Sequence, residues 1–536
     1  MFNLHALNRR TLLLRALQTL QASAVLPALC LPGTSRGATL TSLSFLTQSS
    51  SDSAPASILD AVVVGSGMAG LCAAISAKEA GADRVLILEK GPLIGGHSLY
   101  SSGSIAAFAP KRADGAGGAF HDSPESFLAD ALAAGGGSGN RAILQRIVKE
   151  SGAGLDWLEG MGITFGAPFQ AHSGLKPRSF AMRGNSAGRS YILALAMRAQ
   201  SLGITIAMNA RVVHIERERA SSDSGGVPEN PLWSLEIKTD NADKTDADMH
   251  VEHGEQGVQH VRHVRRVRAR SIVLATGGFA ANVERRRRIL PMLGSDVMTT
   301  ANPEGKLWEG ADGDGIDLAM SVGGRFLEGF GLQLLPYWGG RLLDYAGGDI
   351  YVDGAGRRFV NEASPWVPIA EKILALPGKT FWVITDRKSA KGATLGMKLM
   401  NGAVRKAATI EEMADAMHVP FSVLAKTLRD YNDAARKGFD PLTGKTVFTQ
   451  TIDEPPFYFG KEHIYVHTTL DGIATDDCAR VIDGNDRPIP GLYAAGELVG
   501  GVFGRDRLGG AGLANCLVMG RAAGREAAAA AGVMRR

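Results

Sequence analysis

The segment 60–89, DAVVVGSGMAGLCAAISAKEAGADRVLILE, constrains the fold more than any other part of the chain. It begins with the apolar run 61–64, which predicts a buried strand, and continues with Gly65, Gly67 and Gly70. Glycines at this spacing permit a tight turn, a close approach of the backbone to a pyrophosphate, and close packing of the next helix. That helix would offer its first N–H groups and the positive end of its dipole to the phosphates.

A second apolar run, Val85–Leu88, ends at Glu89, nineteen residues after Gly70. A carboxylate at this distance can bind ribose hydroxyls. The glycines alone are also typical of a tight turn in a sheet that binds no nucleotide. Strand, glycines, helix, strand and acid in this order favour a dinucleotide site.

Later segments favour FAD over NAD as the dinucleotide. Small residues at 95–98 and 102–104 form a loop able to lie against a flat ring. Residues 271–278 read SIVLATGG, residues 490–497 read PGLYAAGE, and residues 507–512, RLGGAG, open a helix. Each segment alone is typical of an ordinary strand-to-turn junction, whereas all of them in this order indicate FAD.

The predicted fold is α/β: a Rossmann-like FAD-binding domain with an inserted α+β capping domain, in whose range the glycine turns disappear. The predicted divisions are 1–38, an export signal; 39–57, a Ser/Thr-rich linker; 58–332, the first part of the FAD-binding domain; 333–450, the cap; and 451–532, the second part of the FAD-binding domain. Alternating segments predict an antiparallel meander at 205–217, 232–239 and 263–274. Within the cap, strands are predicted at 349–352, 359–360 and 381–385, and helices at 410–417 and 422–437.

Composition argues against several classes of function. The chain has 536 residues, 21% of them charged, and a net charge of only +4, so no nucleic-acid partner is expected. No apolar run reaches the roughly 18 residues that a membrane span needs. The four cysteines form no CxxC pair or CxxCH motif, so neither a metal framework nor an attached c-type haem is expected. The histidines between 250 and 263 lie between acidic and basic flanks, and no metal site is expected there either.

The N-terminus carries Arg9 and Arg10 before a modest apolar stretch that ends at Leu31. Twin arginines in this setting are the address for export of folded proteins. A flavoprotein must bind its cofactor before it crosses a membrane, so this route would suit it. We expect an exported, periplasmic protein; a disordered leader on a cytoplasmic protein is the alternative.

Together these segments resemble the flavoprotein family of fumarate reductase, succinate dehydrogenase, urocanate reductase and 3-ketosteroid 1-dehydrogenase, over essentially all of residues 58–531. Residues 277–282, GGFAAN, and 356–362, GRRFVNE, are similar to its soluble branch. The resemblance implies a mobile cap that closes over the flavin, with the substrate held at the domain interface. It also implies hydride transfer between flavin N5 and a carbon next to a carboxylate or carbonyl, while a protein group handles the proton.

Two substrate-binding positions of the family are matched in this chain. The family's His in an H-x-T-M-G-G segment is similar to His467 in HTTLDG, and its carboxylate-clamping Arg before Leu-Gly-Gly is similar to Arg507, with Arg505 nearby. An arginine gives a bidentate fork to a carboxylate, and a histidine adds a hydrogen-bond donor. The alternatives are that His467 is a core histidine whose hydrogen bonds are met within the protein and that Arg507 forms a structural ion pair.

Two other positions depart from the fumarate-reducing pattern. Its His-Pro is replaced by Leu335-Pro336, and its acid-catalyst Arg, four residues after Asn-Glu, is replaced by Trp366. An indole cannot deliver a proton. The ketosteroid dehydrogenases carry a Tyr at this place after a similar Glu-Ser-x-Pro, yet they lack the Arg before Leu-Gly-Gly. The chain therefore resembles a hybrid of the two branches, and fumarate is not the expected substrate.

The predicted function is that of a desaturase or ene-reductase. Trp366 would pack on an apolar or cyclic substrate body, and Arg507 would hold an anionic or carbonyl end. A phenol of the cap, from Tyr337 or Tyr345, would handle the proton. Fumarate reductase or succinate dehydrogenase-type activity and a catalytically idle flavin-binding electron-transfer module are the alternatives. Electrons would pass to or from an external protein, a quinone or oxygen.

Non-covalent FAD is expected because Gly95-Gly96 before His97 follows the soluble relatives; a covalent link through His97, as in succinate dehydrogenases, is the alternative. The residues expected to act on the substrate are His467, Arg507, Tyr337 and Trp366. The residues expected to bind the cofactor are Gly65, Gly67, Met68, Ala69, Gly70, Glu89, Lys90, Gly96, His97, Ser98, Ser102, Gly103, Val213, Ala275, Thr276, Gly277, Gly496, Glu497, Gly512 and Leu513.

Overall fold

The computed structural model describes residues 58–112, 122–171, 176–183, 188–218, 232–239, 249–253, 259–343, 345–392 and 394–532. The expected export signal and linker at 1–57 lie outside the described residues, as do the side chains of His250, His253, His260 and His263. None of the helices in the described ranges is both long and apolar enough to cross a membrane.

The described strands and helices are numbered separately in chain order. The strands are β1 Leu59–Val64, β2 Val85–Leu88, β3 Ile105–Ala106, β4 Ser179–Phe180, β5 Thr205–Ala207, β6 Ala210–Arg217, β7 Trp233–Thr239, β8 Met249–His253, β9 Gln259–Leu274, β10 Phe326–Leu327, β11 Leu332–Pro336, β12 Ile350–Val352, β13 Thr380–Thr385, β14 Arg405–Ala407, β15 Phe457–Thr469, β16 Gly472–Ile473, β17 Arg480–Ile482 and β18 Pro488–Ala494. The helices are α1 Met68–Glu79, α2 Pro124–Ala134, α3 Arg141–Glu159, α4 Arg189–Ser201, α5 Val283–Ile289, α6 Asp314–Ser321, α7 Trp366–Leu374, α8 Leu395–Met400, α9 Ile410–Met417, α10 Phe421–Lys437 and α11 Ala511–Ala530.

The expected buried strand, β1, belongs to a nine-stranded sheet. Six of its strands lie side by side in the order β17-β18-β9-β1-β2-β5, and β6, β7 and β8 extend it beside β9. All six residues of β1 are buried, as its unbroken apolar run requires. β1 pairs in parallel with β2 and β9, and β9 pairs in parallel with β18. β7 pairs antiparallel with both β6 and β9 and forms the expected meander, whereas β5 joins the parallel part of the sheet. The Rossmann-like α/β prediction is confirmed.

The strand register brings distant glycine turns together at one edge of the sheet. Val64 pairs with Leu88 and Leu274, and Leu274 pairs with Ala494. The four strands that contain these residues are parallel, so the turns that follow them leave at the same edge. In parallel sheets this carboxyl edge is where ligands bind.

Helices α1 and α11 pack against each other at backbone distance. A Cβ added to Gly520 would lie 2.5 Å from the Ala69 carbonyl oxygen, and one added to Gly524 would lie 2.0 Å from that of Ala73. Two glycines on α11 therefore allow a contact that larger side chains would prevent. Gly520 contacts Ala69 and Gly524 contacts Ala73, so the two helices run in the same direction. Since Ala69 is at the start of α1 whereas Gly520 is in the middle of α11, the first turns of α11 extend beyond the start of α1, toward the ligand edge.

The inserted segment is built on a five-stranded antiparallel sheet in which the long strand β15 is central. β15 pairs with β11, β13 and β14, and β12 pairs with β13. The sequence predicts that the FAD-binding domain resumes at residue 451, but this pairing places β15 in the sheet of the cap. Residues 359–360, expected as a strand, make no ladder; only Arg358 forms an isolated bridge, with Val352.

A buried ion cluster holds the GRRFVNE segment, from which the chain continues to α7. Arg358 donates two hydrogen bonds to Glu362, at 2.8 and 2.9 Å, and one to Asp440 at 2.7 Å. The fully buried Lys445 donates to the same Glu362 at 2.8 Å. A buried charge left without its partner is strongly destabilising, so the cluster fixes this segment and with it the start of α7.

Candidate functional site

A cleft opens at the carboxyl edge of the parallel sheet, and two glycines shape it. Gly65 has φ +104°, and a Cβ there would lie 2.4 Å from the Ala275 carbonyl oxygen. A Cβ on Gly70 would lie 2.0 Å from the Gly65 carbonyl oxygen. Larger residues at either position would displace the turn, because real Cβ atoms do not approach backbone so closely. The first turn of α1 consequently faces the cleft.

The structure brings most of the expected cofactor residues into this cleft. Those that line it are Gly65, Gly67, Met68, Ala69, Glu89, Lys90, Gly96, His97, Ser98, Ala275, Thr276, Gly277, Gly496 and Glu497. Gly70 lies beneath the turn rather than in the lining. Val213 does not line the cleft: side chains alternate along β6, and its neighbour Val212, with Ala210, faces the cleft.

Glu89 is held in a fixed orientation at the edge of the cleft. One carboxylate oxygen accepts hydrogen bonds from the Ser66 N–H and hydroxyl at 3.0 and 2.5 Å, and the other accepts from the Gly91 N–H at 2.8 Å. Lys90 is paired with Asp312 and Asp314, at 2.7 and 2.8 Å. Glu89 thus presents an oriented acceptor, while Lys90 ties the cleft to α6.

Trp308, which lines the cleft, and Glu309, which pairs with a lining residue, carried no sequence signal. The Trp308 ring lies between Gly91 and Gly310. A Cβ added to Gly91 would lie 2.4 Å from this ring, and one added to Gly310 would lie 2.7 Å from it. Nε2 of His97 lies 2.7 Å from Oε1 of Glu309. Burial acts to lower the pKa of His97, but Glu309, with Glu497, raises it above its usual value. This pair therefore favours a charged imidazolium.

A second cavity continues from the first toward the cap. His97, Ser98, Glu497 and Cys516 line both, so the two form one continuous cleft. The expected cofactor residues Ser102, Gly103, Gly512 and Leu513 line only the second cavity. All four residues expected to act on the substrate line it as well: His467, Arg507, Tyr337 and Trp366.

His467 is the neutral polar group of this cavity. It lies near the end of β15, and its Nδ1 is 2.9 Å from the Thr300 hydroxyl. Burial, followed by the positive charge of Arg507, holds its pKa well below the usual value. With Nδ1 bonded to Thr300, Nε2 is the nitrogen that remains for a ligand.

Arg507 lies four residues before the start of α11 and brings a guanidinium to the same cavity. Its Cζ would be 3.2 Å from a Cβ at Gly512, so the glycine leaves room for the side chain. Within the described part of the chain, its guanidinium makes only a long hydrogen bond, 3.5 Å to the Leu508 carbonyl, and no ion pair. Burial lowers the pKa of Arg507. Such a guanidinium is suited to an anionic ligand. Arg505, the nearby alternative, is exposed and does not line the cavity.

Asp506 joins the two sides of the site. Its carboxylate accepts hydrogen bonds from the Arg507 N–H at 2.8 Å, the Gln333 side-chain amide at 2.5 Å and the Val367 N–H at 3.1 Å. Val367 is in the first turn of α7, where a negative charge is stabilising. A single buried carboxylate therefore sets the position of Arg507 relative to that of Trp366.

The cap contributes an apolar wall and a phenol. Leu335 and Trp366 are buried and line the cavity. The Tyr337 hydroxyl makes a long hydrogen bond, 3.4 Å, to the Tyr100 carbonyl. Tyr345, the other expected phenol, does not line this cavity; its oxygen accepts a hydrogen bond from the Ala390 N–H at 3.1 Å. Tyr337 is thus the cap phenol that reaches the site.

The polar groups of the continuous cleft suit FAD. Among the described residues, the buried side-chain atoms Thr276 Oγ1, Gln333 Oε1 and Asn515 Oδ1 belong to the lining and have no hydrogen-bond partner. Buried polar atoms are nearly always satisfied, so such atoms indicate a bound polar ligand. A dinucleotide along the first cavity and a flavin ring entering the second would lie against residues of both.

The family described as FAD binding domain matches residues 60–513 of this chain. A probable fumarate reductase of Shewanella frigidimarina is 29% identical over 486 residues, which cover 88% of this chain and 75% of that relative. A urocanate reductase of Eggerthella lenta is 27% identical, with 88% and 75% coverage.

Solved structures show the same fold. The open conformation of a flavocytochrome c3 fumarate reductase matches with a TM-score of 0.64 at 28% identity, covering 89% of this chain and 79% of that one. A 3-ketosteroid delta1-dehydrogenase of Sterolibacterium denitrificans matches with a TM-score of 0.63 at 20% identity, covering 88% and 99%.

Proposed function

Because this chain belongs to the FAD binding domain family and is an FAD-dependent oxidoreductase, we propose that it acts on a carbon–carbon bond next to a carboxylate or carbonyl, in the cavity that holds His467 and Arg507. Bound FAD would supply hydride exchange at its N5. The observation that supports this most is that a neutral histidine and an arginine with no ion pair to any described residue line one cavity, which is continuous with the nucleotide cleft.

Arg507 and His467 would bind and polarise the acidic end of the substrate. The guanidinium can donate two parallel hydrogen bonds to a carboxylate, and Nε2 of His467 can meet an oxygen of the same group. Both interactions grow stronger as negative charge moves onto those oxygens during reaction at the adjacent carbon. A neutral histidine beside an arginine avoids the repulsion of a second positive charge.

The cap residues would exclude water and handle the proton. Leu335 and Trp366 would cover the carbon skeleton, and their burial keeps water from the reacting carbons. Tyr337 would hold the proton on its phenol oxygen, because its long bond to the Tyr100 carbonyl is easily exchanged for a substrate contact.

Variants of Arg507 test this proposal. Arg507→Met removes the guanidinium and should raise KM for an acidic substrate by about 10- to 100-fold, as expected for a charge-assisted pair. Arg507→Lys keeps the positive charge but cannot donate two parallel hydrogen bonds, so its KM should lie between that of the parent protein and that of Arg507→Met. Arg505→Met is the matched control because Arg505 is exposed and outside the cavity. If Arg507→Met kinetics equal those of the control, or if no acid or enone reacts, the idle flavin-binding alternative is favoured.

We also propose export through the twin-arginine route and an external electron partner, which would be a protein, a quinone or oxygen. The support is the pair Arg9-Arg10 before an apolar stretch. Replacing both arginines with lysine should retain the protein in the cytoplasm, with its flavin bound. Equal export of this variant and the parent would contradict the route.

A further inference from the structure

A threonine that no motif identified lies against His467 near the end of β15. The Thr300 N–H donates to the Val466 carbonyl at 3.0 Å, and the Val466 N–H donates to the Met298 carbonyl at 2.9 Å. Nε1 of Trp338, in the loop that follows β11, donates to the Thr300 carbonyl at 2.6 Å. Thr300 is 7% exposed and lines the substrate cavity. These contacts of its backbone fix where its hydroxyl lies.

The Thr300 hydroxyl has His467 as its partner. Its oxygen lies 2.9 Å from Nδ1 of the ring, and among the residues that the structure describes the Thr300 side chain makes no other hydrogen bond. A hydroxyl has a single hydrogen, and a neutral imidazole carries one N–H. Two arrangements are therefore available. Either the hydroxyl donates to Nδ1 and Nε2 carries the ring hydrogen, or Nδ1–H donates to the hydroxyl oxygen and Nε2 carries none.

The surroundings of His467 keep a single hydrogen on its ring. Burial is the main cause that holds its pKa well below the usual value, and the positive charges of Arg507, His97 and Arg341 act in the same direction. All three of these side chains line the substrate cavity. Because the ring is neutral, its tautomer decides whether His467 can donate a hydrogen bond to a ligand there.

An acid in the cavity is compatible with only one of the two arrangements. A carboxylate oxygen held by Arg507 accepts hydrogen bonds, whereas an Nε2 without hydrogen would bring a lone pair against it. When the Thr300 hydroxyl is the donor, Nδ1 is satisfied and Nε2–H is left to donate to the acid. The hydroxyl hydrogen is then satisfied as well, as buried polar groups nearly always are.

We propose that Thr300 is a positioning residue whose hydroxyl donates to Nδ1 of His467 and so keeps His467 as the Nε2–H tautomer, a hydrogen-bond donor to the substrate. This inference rests on the proposed function. A neutral ring with hydrogen on Nε2 has no lone pair at that nitrogen to take a proton from the substrate. His467 therefore binds and polarises, and the proton is left to Tyr337.

NMR of the oxidised, FAD-loaded protein labelled with [15N]histidine reads the tautomer directly. Two-bond 1H–15N correlations distinguish a protonated ring nitrogen from an unprotonated one, and the spectrum of His467→Gln identifies the signals of His467. The parent protein should show a protonated Nε2 and an unprotonated Nδ1. Thr300→Val, which keeps the shape of the side chain but removes the donor, should show both tautomers. Thr300→Ser should restore the parent spectrum.

Binding of butyrate, followed by the flavin absorbance, measures what the tautomer contributes to the acid site. Thr300→Val should weaken binding about 3- to 10-fold, the loss of one neutral hydrogen bond, and Thr300→Ser should stay within about 2-fold of the parent protein. Thr427→Val is the matched control. The Thr427 hydroxyl also makes a hydrogen bond, to the Gly356 carbonyl at 2.8 Å, but this residue lies in the cap outside the cavity.

The outcomes separate this inference from the proposed function. Mixed tautomers and weaker binding in Thr300→Val, both reversed in Thr300→Ser at unchanged flavin content and melting temperature, support the role of Thr300. A protonated Nδ1 in the parent protein overturns it, as does a Thr300→Val variant with the parent spectrum or with the butyrate affinity of Thr427→Val. If the parent protein binds no acid, the proposed function fails, while the spectra still decide whether Thr300 holds the tautomer.

Discussion

Replacing Asp506 with asparagine should loosen the contact between the nucleotide-binding domain and the cap. The carboxylate is 2% exposed and accepts three hydrogen bonds, from Gln333, Arg507 and Val367. Asparagine has the same shape but one acceptor oxygen. That oxygen can keep the bonds from Gln333 and Arg507, and the amide nitrogen then faces the Val367 N–H.

The expected cost follows from these contacts. Leaving the Val367 N–H without an acceptor costs about 1–3 kcal/mol. Removing a negative charge from the first turn of α7 costs about 0.3–1 kcal/mol more. The sum is about 1.3–4 kcal/mol, which corresponds to a fall of about 1–4 °C in melting temperature for a chain of this length. Because α7 begins at Trp366, KM should rise as well.

Differential scanning calorimetry of the FAD-loaded protein and steady-state kinetics measure the two effects. Asp486→Asn is the matched control, because this side chain is 79% exposed and its pair with Arg325 is worth little. The reasoning is refuted if the Asp506 variant melts and binds substrate like the Asp486 variant.

Three further predictions address the cofactor and the histidines. Gly65→Ala should lose FAD on gel filtration, because its Cβ would lie 2.4 Å from the Ala275 oxygen, whereas Gly484→Ala, with no atom within 4 Å, should retain it; equal retention would contradict the turn geometry. Burial, with the charge of Arg507, lowers the pKa of His467 in the folded protein. Below about pH 6.5 this histidine is therefore protonated in the unfolded chain but still neutral in the folded one, so the free energy of unfolding falls as the pH drops. His467→Gln should lessen this fall in denaturant titrations between about pH 5 and 7, and an unchanged slope would oppose the assignment. Acid precipitation should release all the flavin, since Nε2 of His97 is engaged by Glu309; flavin in the pellet would indicate the covalent alternative.

Local patterns made the nucleotide cleft predictable. Gly70 is needed because of the Gly65 carbonyl five residues earlier, Gly65 has a positive φ that favours glycine, and the apolar runs β1 and β2 formed as expected. Val212 rather than Val213 lines the cleft, because the face of a strand residue depends on its exact register, and β6 has an irregularity between Val212 and His214. A one-residue error moves a side chain to the opposite face.

The substrate side was less predictable because it depends on contacts between distant segments. β15 joins the cap sheet through partners more than a hundred residues earlier in the chain, such as Leu334, which pairs with Val466. Arg341 reaches the cavity through a loop that Glu462 holds. No spacing within the sequence reveals such a contact. A glycine pair before an arginine in a cap segment is the only local signal that could have suggested a constrained loop there.

Anaerobic stopped-flow absorbance tests the central claim most directly. The protein is mixed in its reduced form with 2-alkenoic mono- and dicarboxylic acids or 2-enones, and in its oxidised form with the saturated counterparts. The account predicts that at least one acid or enone pair changes the flavin between its oxidised and reduced spectra, and that Arg507→Met slows this change for the acids. No spectral change with any of these compounds, together with rapid reduction by an alcohol or an amine, would contradict it.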